Sequence, residues 1–416
     1  MKKKKLLFVI NTISAAGAEM SFLELLRRID GARFEVYLYV LMAQGELRCR
    51  LPAHVRLLNR SFSDRSVLSK EGKRHMVRRV LACACRRGTL FFQMPYLISN
   101  FLYMMKQRRV LPDKLLWRLL AQGADRFEEE FDLAVAYLEG GSAYYVADYV
   151  KAKRKAAFLH IDYARAGYTR ALDRSCYVRF DHIFAVSCEA QRSFLAVYPE
   201  KAGHISLFHN PMDRGAIREK SREPISQERW NAFDGKRLLT VGRLNPQKAY
   251  EVAIETMREL KASGVHARWY VLGDGAERER LAALIASCGL EEDFVLLGAV
   301  DNPYPYYAGC DLYVHATRYE GRSVAIQEAQ ALGAAVLASD CSGNREQIRD
   351  GCDGVLVELV PARIAEEIRR LLGDGALREA LGSRGKEKPS VYPEDIERLL
   401  SLAGEGAAAC AADRKG

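Results

Sequence analysis

The stretch Lys236-Arg-Leu-Leu-Thr-Val-Gly242-Arg243-Leu-Asn-Pro-Gln-Lys248 joins an apolar run to a turn and a helix start. The apolar run predicts a buried strand that ends near Gly242. Arg243 and Lys248 are five residues apart across the turn, so both cations could converge on one diphosphate beside the helix start. The stretch therefore predicts one strand–turn–helix unit of a parallel α/β sheet, with an anion site at the carboxyl end of the strand.

Short apolar runs of this kind recur along the chain and alternate with helical stretches, which predicts parallel sheets covered by helices on both faces. The predicted strands of the first half are Lys5–Ile10, Phe34–Leu41, Val55–Leu58, Asp132–Leu138, Ala156–His160, His182–Ser187 and Ile205–His209. Those of the second half are Lys236–Gly242, Ala267–Gly273, Phe294–Gly298, Leu312–His315, Ala335–Ala338 and Gly354–Val357.

Two Rossmann-like domains facing a central cleft are therefore expected. A polar stretch near 212–234 separates them, so the first domain is predicted to span 1–212 and the second 213–390, followed by a C-terminal helix and tail over 391–416. Ligands of open α/β sheets lie beyond the carboxyl ends of the strands. A donor substrate held by the second domain and an acceptor substrate held by the first would therefore meet in the cleft.

A second motif, Tyr319-Glu-Gly-Arg-Ser-Val-Ala-Ile-Gln-Glu328, places two acids eight residues apart where a loop enters a helix. If Gly321 makes the turn and Ser323 to Leu332 is helical, Glu320 and Glu328 would lie about 12 Å apart, on either side of the anion site at the helix start. This spacing suits a nucleotide sugar, with sugar at one end, ribose at the other and diphosphate between. The alternative is two solvated glutamates on a helix surface.

The composition is that of a globular protein: 416 residues, 49% hydrophobic and 28% charged. No apolar run reaches the ~18 residues of a membrane span, and the apolar part of the amino terminus is too short for a signal peptide. The ten cysteines lack C-x-x-C spacing, and neither metal-ligand spacing nor an Asp-x-Asp pair is present. A cytoplasmic location and a reaction without a metal or other cofactor are expected.

The net charge of +10 is concentrated in residues 60–118, where 14 Lys/Arg stand against 3 Asp/Glu. The same stretch holds the apolar blocks 90–98 and 101–105. This mixture predicts a helical insertion in the first domain that binds an anionic membrane surface from the cytoplasmic side. The alternative is a set of helices packed on the first domain with a solvated basic face. Nucleic acid is not predicted as a partner, because no recognised binding motif accompanies the charge.

Further residues at predicted strand ends are candidates for the cleft. Gly17 lies in a small-residue turn after the first strand, His160 and Asn210 each end a strand, and a lone His at such a position is more often structural. Gly273-Asp-Gly275 suggests a dinucleotide fingerprint, but Arg278 occupies the place of the third Gly, so a nicotinamide site is rejected.

Taken in order, these motifs resemble the family-4 retaining glycosyltransferases of GT-B fold. The resemblance is specific over 236–358, weaker over 1–212 and absent over 60–118. It is closest to the branch that builds capsular and exopolysaccharide repeat units on a lipid carrier. The matching segments are Gly17-Ala-Glu19, His160, Asn210-Pro211, Gly242-Arg243, Gln247-Lys248, Gly273-Asp-Gly275, Gly298, Glu320–Glu328, Ala338-Ser-Asp340, Gly343, Glu346 and Asp353-Gly354.

The resemblance implies a role for each matching position. Glu320 would hold the donor sugar hydroxyls, Glu328 the ribose, Arg243 and Lys248 the diphosphate, and His160 would touch the sugar near the reacting centre. The remaining donor-binding positions implied are Gly17, Asn210, Gly242, Gly273, Gly298, Val300, Gly321, Arg322, Ser323 and Val324. The base would lie against Gly273 and residues 298–300.

Three departures from the family pattern concern residues near the donor. Ala16 and Ala249 stand where the family commonly has Gly, and Arg322-Ser323 replaces a common Phe-Pro.

The sequence as a whole predicts a retaining glycosyltransferase that moves a hexose or N-acetylhexosamine from a nucleotide diphosphate sugar, UDP-linked, to a lipid-linked glycan in bacterial surface polysaccharide synthesis. Two alternatives stay open. One is a sugar-nucleotide epimerase of GT-B fold, and the other is a non-catalytic subunit that binds lipid or glycan.

Overall fold

The structure is a computed structural model that describes residues 3–404 apart from 15, 16, 68, 107–110 and 165. The predictions for Ala16, for two arginines of the basic segment and for the tail 405–416 therefore lie outside the described residues. The chain divides into two compact units between Pro211 and Met212, and Val391 onward belongs to the first unit.

The first unit is built on a parallel sheet of seven strands in the order β3-β2-β1-β4-β5-β6-β7. All seven predicted strands are confirmed. The strands are β1 Lys4–Ile10, β2 Phe34–Val40, β3 Val55–Leu57, β4 Phe131–Ala136, β5 Ala152–Leu159, β6 His182–Ala185 and β7 Ile205–Leu207. Only β5 differs appreciably, because it begins four residues before the prediction. Its first half is Ala-Lys-Arg-Lys and pairs by charge, with Lys153 on Asp132 and Arg154 on Asp181.

Helices cover both faces of this sheet. They are α1 Gly17–Arg28, α2 Lys70–Cys85, α3 Thr89–Lys106, α4 Pro112–Gly123, α5 Gly141–Tyr149 and α6 Cys188–Leu195. Short 3-10 helices occupy Glu46–Arg50, Arg86–Gly88, Cys176–Arg179 and Pro199–His204. Two apolar clusters, one on each face, bury the strand side chains that alternate between the faces.

The predicted insertion forms α2, α3 and α4, which pack on one face of the first unit. The amine of Lys114 on α4 is fully buried and lies 2.7 Å from the carboxylate of Asp173, which is also fully buried. The same amine lies 3.2 Å above the ring of Tyr168. Removing either charge would leave the other buried and unpaired, so this pair fixes α4 to the rest of the unit. Among the described residues, no helix has both the length and the apolar content that crossing a membrane requires.

The second unit contains a parallel sheet of six strands in the order β10-β9-β8-β11-β12-β13. The six predicted strands are confirmed as β8 Lys236–Val241, β9 Ala267–Leu272, β10 Phe294–Gly298, β11 Leu312–His315, β12 Val336–Ser339 and β13 Val355–Val357. Its helices are α7 Arg214–Lys220, α8 Glu228–Asn231, α9 Tyr250–Ala262, α10 Arg278–Ser287, α11 Tyr304–Gly309, α12 Val324–Leu332, α13 Ser342–Arg345, α14 Pro361–Gly373 and α15 Gly375–Glu387. The polar stretch predicted to separate the domains thus contains two short helices of the second unit.

The last described helix, α16 Pro393–Ser401, returns to the first unit. Ile396, Leu399 and Leu400 enter the core on one face of the first sheet. Asp395 accepts hydrogen bonds of 2.8 Å from the backbone N–H and from Nδ1 of His209. The helix is therefore an integral part of the first unit and does not form a separate tail.

Candidate active site

The carboxylate of Glu320 lies on the loop between β11 and α12, where three side chains contact it. Lys248 forms an ion pair with Oε1, His315 Nε2 lies 3.1 Å from the same oxygen, and Thr317 Oγ1 lies 3.3 Å away. The Glu320 side chain is only 10% exposed. Burial raises its pKa, but the charge of Lys248 and the hydrogen bond from His315 outweigh burial and hold the pKa at about 2. Glu320 is therefore an anion at any physiological pH.

His315, at the end of β11, is buried and bridges Glu320 to Tyr313. Burial, and then the charge of Lys248, lower the pKa of His315, so the imidazole is neutral. A neutral ring has one donor and one acceptor nitrogen. Nε2 must donate to the Glu320 carboxylate, so Nδ1 accepts from the Tyr313 hydroxyl 3.0 Å away. The amine of Lys248, 3.4 Å from Nε2, is then a donor facing a donor and makes an electrostatic contact without a hydrogen bond.

Lys248 is the last residue of a short 3-10 helix, Pro246–Lys248, that follows β8. Asn245 caps this turn by accepting the N–H of Lys248. Ala249 has φ 46° and ψ 39°, a left-handed conformation that costs an L residue about 1–2 kcal/mol. Glycine adopts that conformation without this cost, which accords with the Gly expected here from the family resemblance. The turn ends at Tyr250, the first residue of α9, whose hydroxyl donates to Gly242 O at 3.0 Å.

Arg243, the second predicted diphosphate ligand, is exposed on the same turn. The structure gives its guanidinium no hydrogen bond or ion pair with any described residue. The structure therefore places Lys248, but not Arg243, against Glu320. The charge of Arg243 is left available to bind a ligand.

Glu328 lies on α12 and contacts two tyrosines of α11. Its carboxylate accepts hydrogen bonds from Tyr304 Oη at 3.3 Å and from Tyr307 Oη at 3.1 Å. Burial raises the pKa of Glu328 to about 7, although both tyrosine bonds act to lower it. Glu328 thus titrates near neutral pH, whereas Glu320, eight residues earlier, does not.

The loop from Glu320 into α12 is held on both sides. Ser323 caps the helix by accepting the N–H of Ile326, and Gln347 binds the backbone of Ser323 twice, accepting its N–H at 2.6 Å and donating to its carbonyl at 2.9 Å. A Cβ on Gly343 would lie 2.3 Å from the carbonyl oxygens of Glu320 and Gly321, so only Gly fits there. The Ser323 N–H is therefore already used inside the protein, whereas ligand binding by Gly321, Arg322 and Val324 stays a prediction.

Three glycines, Gly242, Gly273 and Gly298, lie at the carboxyl ends of adjacent strands, and the last two belong to the predicted wall for the base. Gly242 donates to Leu272 O at 2.9 Å, and Gly273 donates to Gly298 O at 2.8 Å. Gly273 has φ 143°, and a Cβ on it would lie 2.0 Å from Gly242 O. Val300 follows two residues after β10 and is partly buried. At Gly273 the neighbouring backbone approaches too closely to admit a side chain.

In the first unit, His160 follows β5 and its ring centre lies 5.0 Å from that of Tyr137. Burial lowers the pKa of His160 to about 4, and its ring hydrogen-bonds the Tyr137 backbone. Its Nε2 is buried without a partner among the described residues. His160 thus presents an unpaired nitrogen, and its part in sugar binding stays a prediction.

Glu139, three residues after the end of β4, fixes the backbone at His160. Its Oε1 accepts the N–H of His160 and, at 3.1 Å, that of Ile161. Asn11 Nδ2 donates to Glu139 O at 3.0 Å. Burial raises the pKa of Glu139 to about 7. Of the other predicted residues, Gly17 begins α1 and Asn210 is buried after β7.

The sequence analysis does not place His315, Tyr313, Tyr304 or Tyr307 in the site. A polar side chain at a strand end is a usable signal for His315, as it is for His160. The tyrosines carried no such signal. Among the described residues, no group of three His, Cys, Asp or Glu side chains could hold a metal ion; independence from metal stays a prediction.

Comparison with known proteins finds a family model that matches the part of the chain around this site. Residues 222–388 match the family model "Glycosyl transferases group 1". The N-acetylgalactosamine-N,N'-diacetylbacillosaminyl-diphospho-undecaprenol 4-alpha-N-acetylgalactosaminyltransferase of Campylobacter jejuni is 31% identical over 199 residues, 47% of this chain and 51% of the relative. The capsular polysaccharide biosynthesis glycosyltransferase CapM of Staphylococcus aureus is 28% identical over 36% of this chain and 40% of the relative. The chain thus spans about half the length, or less, of these curated relatives.

The crystal structure of Anabaena HepE in complex with UDP matches 96% of this chain and 97% of its own with a TM-score of 0.64 at 16% identity. At that identity the likeness shows the fold, and with the two parallel-sheet units it confirms the predicted GT-B class. The family-4 designation and the retaining course stay predictions. The second unit of this chain, which holds Lys248, Glu320 and Glu328, therefore carries the match to the "Glycosyl transferases group 1" model, over residues 222–388.

Proposed function

We propose that the protein is a retaining glycosyltransferase that moves a hexose or N-acetylhexosamine from a nucleotide diphosphate sugar to a lipid-linked glycan, at the cytoplasmic face of the plasma membrane and without a metal. The observation that carries this proposal is the contact of Lys248 and His315 with one buried carboxylate, Glu320. It supplies a fixed anion for sugar hydroxyls beside a cation for the diphosphate.

The nature of the donor and acceptor draws support from similar proteins. HepE was crystallised with UDP and with UDP-glucose, which supports UDP as the nucleotide. The C. jejuni relative acts, by its name, on a diphospho-undecaprenol glycan, which supports a lipid-linked acceptor. Matches to a capsular polysaccharide glycosyltransferase and a putative colanic acid glycosyltransferase support a place in surface polysaccharide synthesis.

In the proposed reaction, Glu320 accepts hydrogen bonds from donor sugar hydroxyls and so orients the anomeric carbon. As the bond from that carbon to the diphosphate breaks, negative charge grows on the phosphate oxygens. The amine of Lys248 and the guanidinium of Arg243 stabilise that charge, and such stabilisation is strongest where water is excluded. The acceptor hydroxyl attacks from the same face and gives its proton to the departing phosphate. Glu328 holds the ribose.

The test is sugar transfer from UDP-linked donors to a lipid-linked glycan by Glu320→Ala and Lys248→Ala. Each variant should lose about 10²-fold or more in kcat/KM, because each removes a group that binds in the transition state. Lys261→Ala, an exposed lysine paired with Asp293, is the matched control and should be unchanged. Wild-type rates in either site variant would reject the proposal.

Two further measurements separate the alternatives. An epimer formed from donor alone would indicate a sugar-nucleotide epimerase, whereas this proposal expects none. A panel of nucleotide sugars should include at least one that raises the melting temperature of the protein, because a ligand selective for the folded state stabilises it. No response to any donor would indicate a non-catalytic subunit.

A further inference from the structure

Helix α3, Thr89–Lys106, has its polar side turned toward the protein. Its buried residues are Thr89, Gln93, Tyr96, Asn100 and Met104. The Tyr96 hydroxyl lies 2.8 Å from Lys114 O and 3.0 Å from Leu172 O, and Asn100 Nδ2 donates to Leu172 O at 3.4 Å. These contacts fix which side of the helix faces inward.

The outward side of α3, which is 18 residues and about 27 Å long, is apolar apart from Ser99 and Lys106. Phe91 is 79% exposed, Phe92 64%, Leu102 62%, Met105 55% and Ile98 53%. Helices on globular proteins ordinarily show the reverse arrangement, with the apolar stripe against the core. A contiguous apolar surface of this kind marks an interaction site, because its exposure to water is unfavourable.

Helix α2, which packs against α3, adds exposed apolar and cationic side chains. Val77 and Leu81 are each 59% exposed, and Lys73, Arg74 and Arg78 are exposed on the same helix. Only two acidic residues, Asp64 and Glu71, lie between 60 and 106 among the described residues, and they pair with Arg48 and Arg65. The cations of α2 therefore have no carboxylate in this segment to neutralise them.

We propose that the outward side of α3, together with the exposed part of α2, is a docking surface for an anionic phospholipid bilayer. The apolar side chains of α3 enter the boundary between headgroups and acyl chains, while the α2 cations contact lipid phosphates. This inference is based on the helical insertion in the first unit. It does not depend on the sugar-transfer proposal, which is based on residues of the second unit.

The shape and charge of the surface favour a bilayer over a protein partner. A second copy of the chain would form an isologous contact, which places the cations of one α2 near those of the other. A protein partner would need a groove that matches five protruding side chains. A fluid bilayer accommodates them without a matching shape and supplies the opposite charge.

The experiment is co-sedimentation of the full chain with vesicles of phosphatidylcholine, with and without phosphatidylglycerol. Binding should be strong only to the anionic vesicles, and should weaken from about 0.1 M to about 1 M NaCl as the screening length falls from about 10 to about 3 Å. The double variant Phe91→Asp/Phe92→Asp should bind at least about tenfold more weakly, since it removes two large apolar side chains from the contact.

Two controls complete the test. Val178→Asp alters a valine that is 44% exposed elsewhere in the first unit, and it should bind like wild type. The Phe91/Phe92 variant should keep the wild-type melting temperature, because both side chains already face water.

A second variant tests the charge of α2. Charge reversal by Arg74→Glu/Arg78→Glu should abolish the preference for anionic vesicles.

Three outcomes would overturn the docking surface. They are equal binding to neutral and anionic vesicles, equal binding by the Phe91/Phe92 variant and the Val178 control, and a concentration-dependent dimer without lipid that the Phe91/Phe92 variant loses. Vesicle binding needs no nucleotide sugar, so its failure is distinguishable from failure of the transferase proposal.

Discussion

His315 Nε2 lies 3.1 Å from Glu320 Oε1, and the other ring nitrogen of His315 lies 3.0 Å from the Tyr313 hydroxyl. A strand residue therefore fixes the direction of a carboxylate that lies on a loop. The Tyr313 hydroxyl donates to Nδ1 and so fixes the tautomer of His315. The proton therefore stays on Nε2, which donates it in a hydrogen bond to Glu320.

Replacing His315 by Leu should lower kcat/KM about 10-fold to 100-fold, because a hydrogen bond to a charged group is worth about 1.5–3 kcal/mol. It should also raise the pKa of Glu320, since His315 helps to lower it. The acid limb of the pH profile of kcat/KM should therefore move to higher pH. Tyr313→Phe should shift it less. His266→Leu, with a side chain 70% exposed, is the control. An unmoved acid limb would contradict the role assigned to His315.

Replacing Lys248 by Met should destabilise the protein at neutral pH by about 3–5 kcal/mol, because it leaves Glu320 buried beside a neutral ring. The lowered pKa of Glu320 adds stability above its ordinary pKa of 4.5, and this stability is lost as pH falls toward about 2. The difference between wild type and variant should therefore shrink on acidification. Urea unfolding as a function of pH measures this, with Lys261→Met as the exposed control. A difference independent of pH would count against the ion pair.

Replacing Glu328 by Gln should have the opposite dependence on pH. The folded protein keeps a proton on Glu328 up to about pH 7, whereas the unfolded chain loses it near 4.5. The raised pKa of Glu328 therefore contributes its full stabilisation below pH 4.5, and this stabilisation is lost as the pH rises through about 7. Relative to wild type, the variant should therefore gain roughly 2 kcal/mol between about pH 5 and about pH 8, while nucleotide binding weakens. Glu379→Gln, exposed on α15, should show no such change.

Replacing Gly273 by Ala should destabilise the second unit, because its new Cβ would lie 2.0 Å from Gly242 O at a φ of 143°. Overpacking of this kind costs about 1–3 kcal/mol, which lowers the melting temperature by several degrees. Gly373→Ala, with nothing within 4 Å of its added Cβ, should be neutral or slightly stabilising. Equal melting temperatures for the two variants would show that the strand ends yield more easily than the structure indicates.

The sheets were predictable because each parallel strand is buried on both faces and so appears as a continuous apolar run. The first half of β5 is the exception, and it supports this reason. It is Lys-rich and forms ion pairs, so it carried no apolar signal and was not predicted. The strand ends also predicted Lys248 and Glu320 as site residues. Their direct contact was not predicted, because it depends on β8 and β11 lying side by side in the sheet.

The sequence did not give the contacts that depend on how separate helices and strands pack. Tyr304 and Tyr307 reach Glu328 from another helix, and nothing in their local sequence distinguishes them from core tyrosines. The apolar blocks of α3 were visible in the sequence, but their orientation depends on Tyr96 and Asn100 bonding to backbone distant in the chain.

The backbone N–H of Met212 donates to Ser390 O at 2.9 Å. The two ends of the second unit are thus hydrogen-bonded to each other, and the first unit is made of two separate stretches of chain whose later part supplies α16. In genetic terms, the second unit is one uninterrupted segment with adjoining ends, so it can be excised, exchanged for that of a relative or grafted without cutting its own core. The first unit offers no such single segment, because removing α16 takes Leu399 and Leu400 out of its interior.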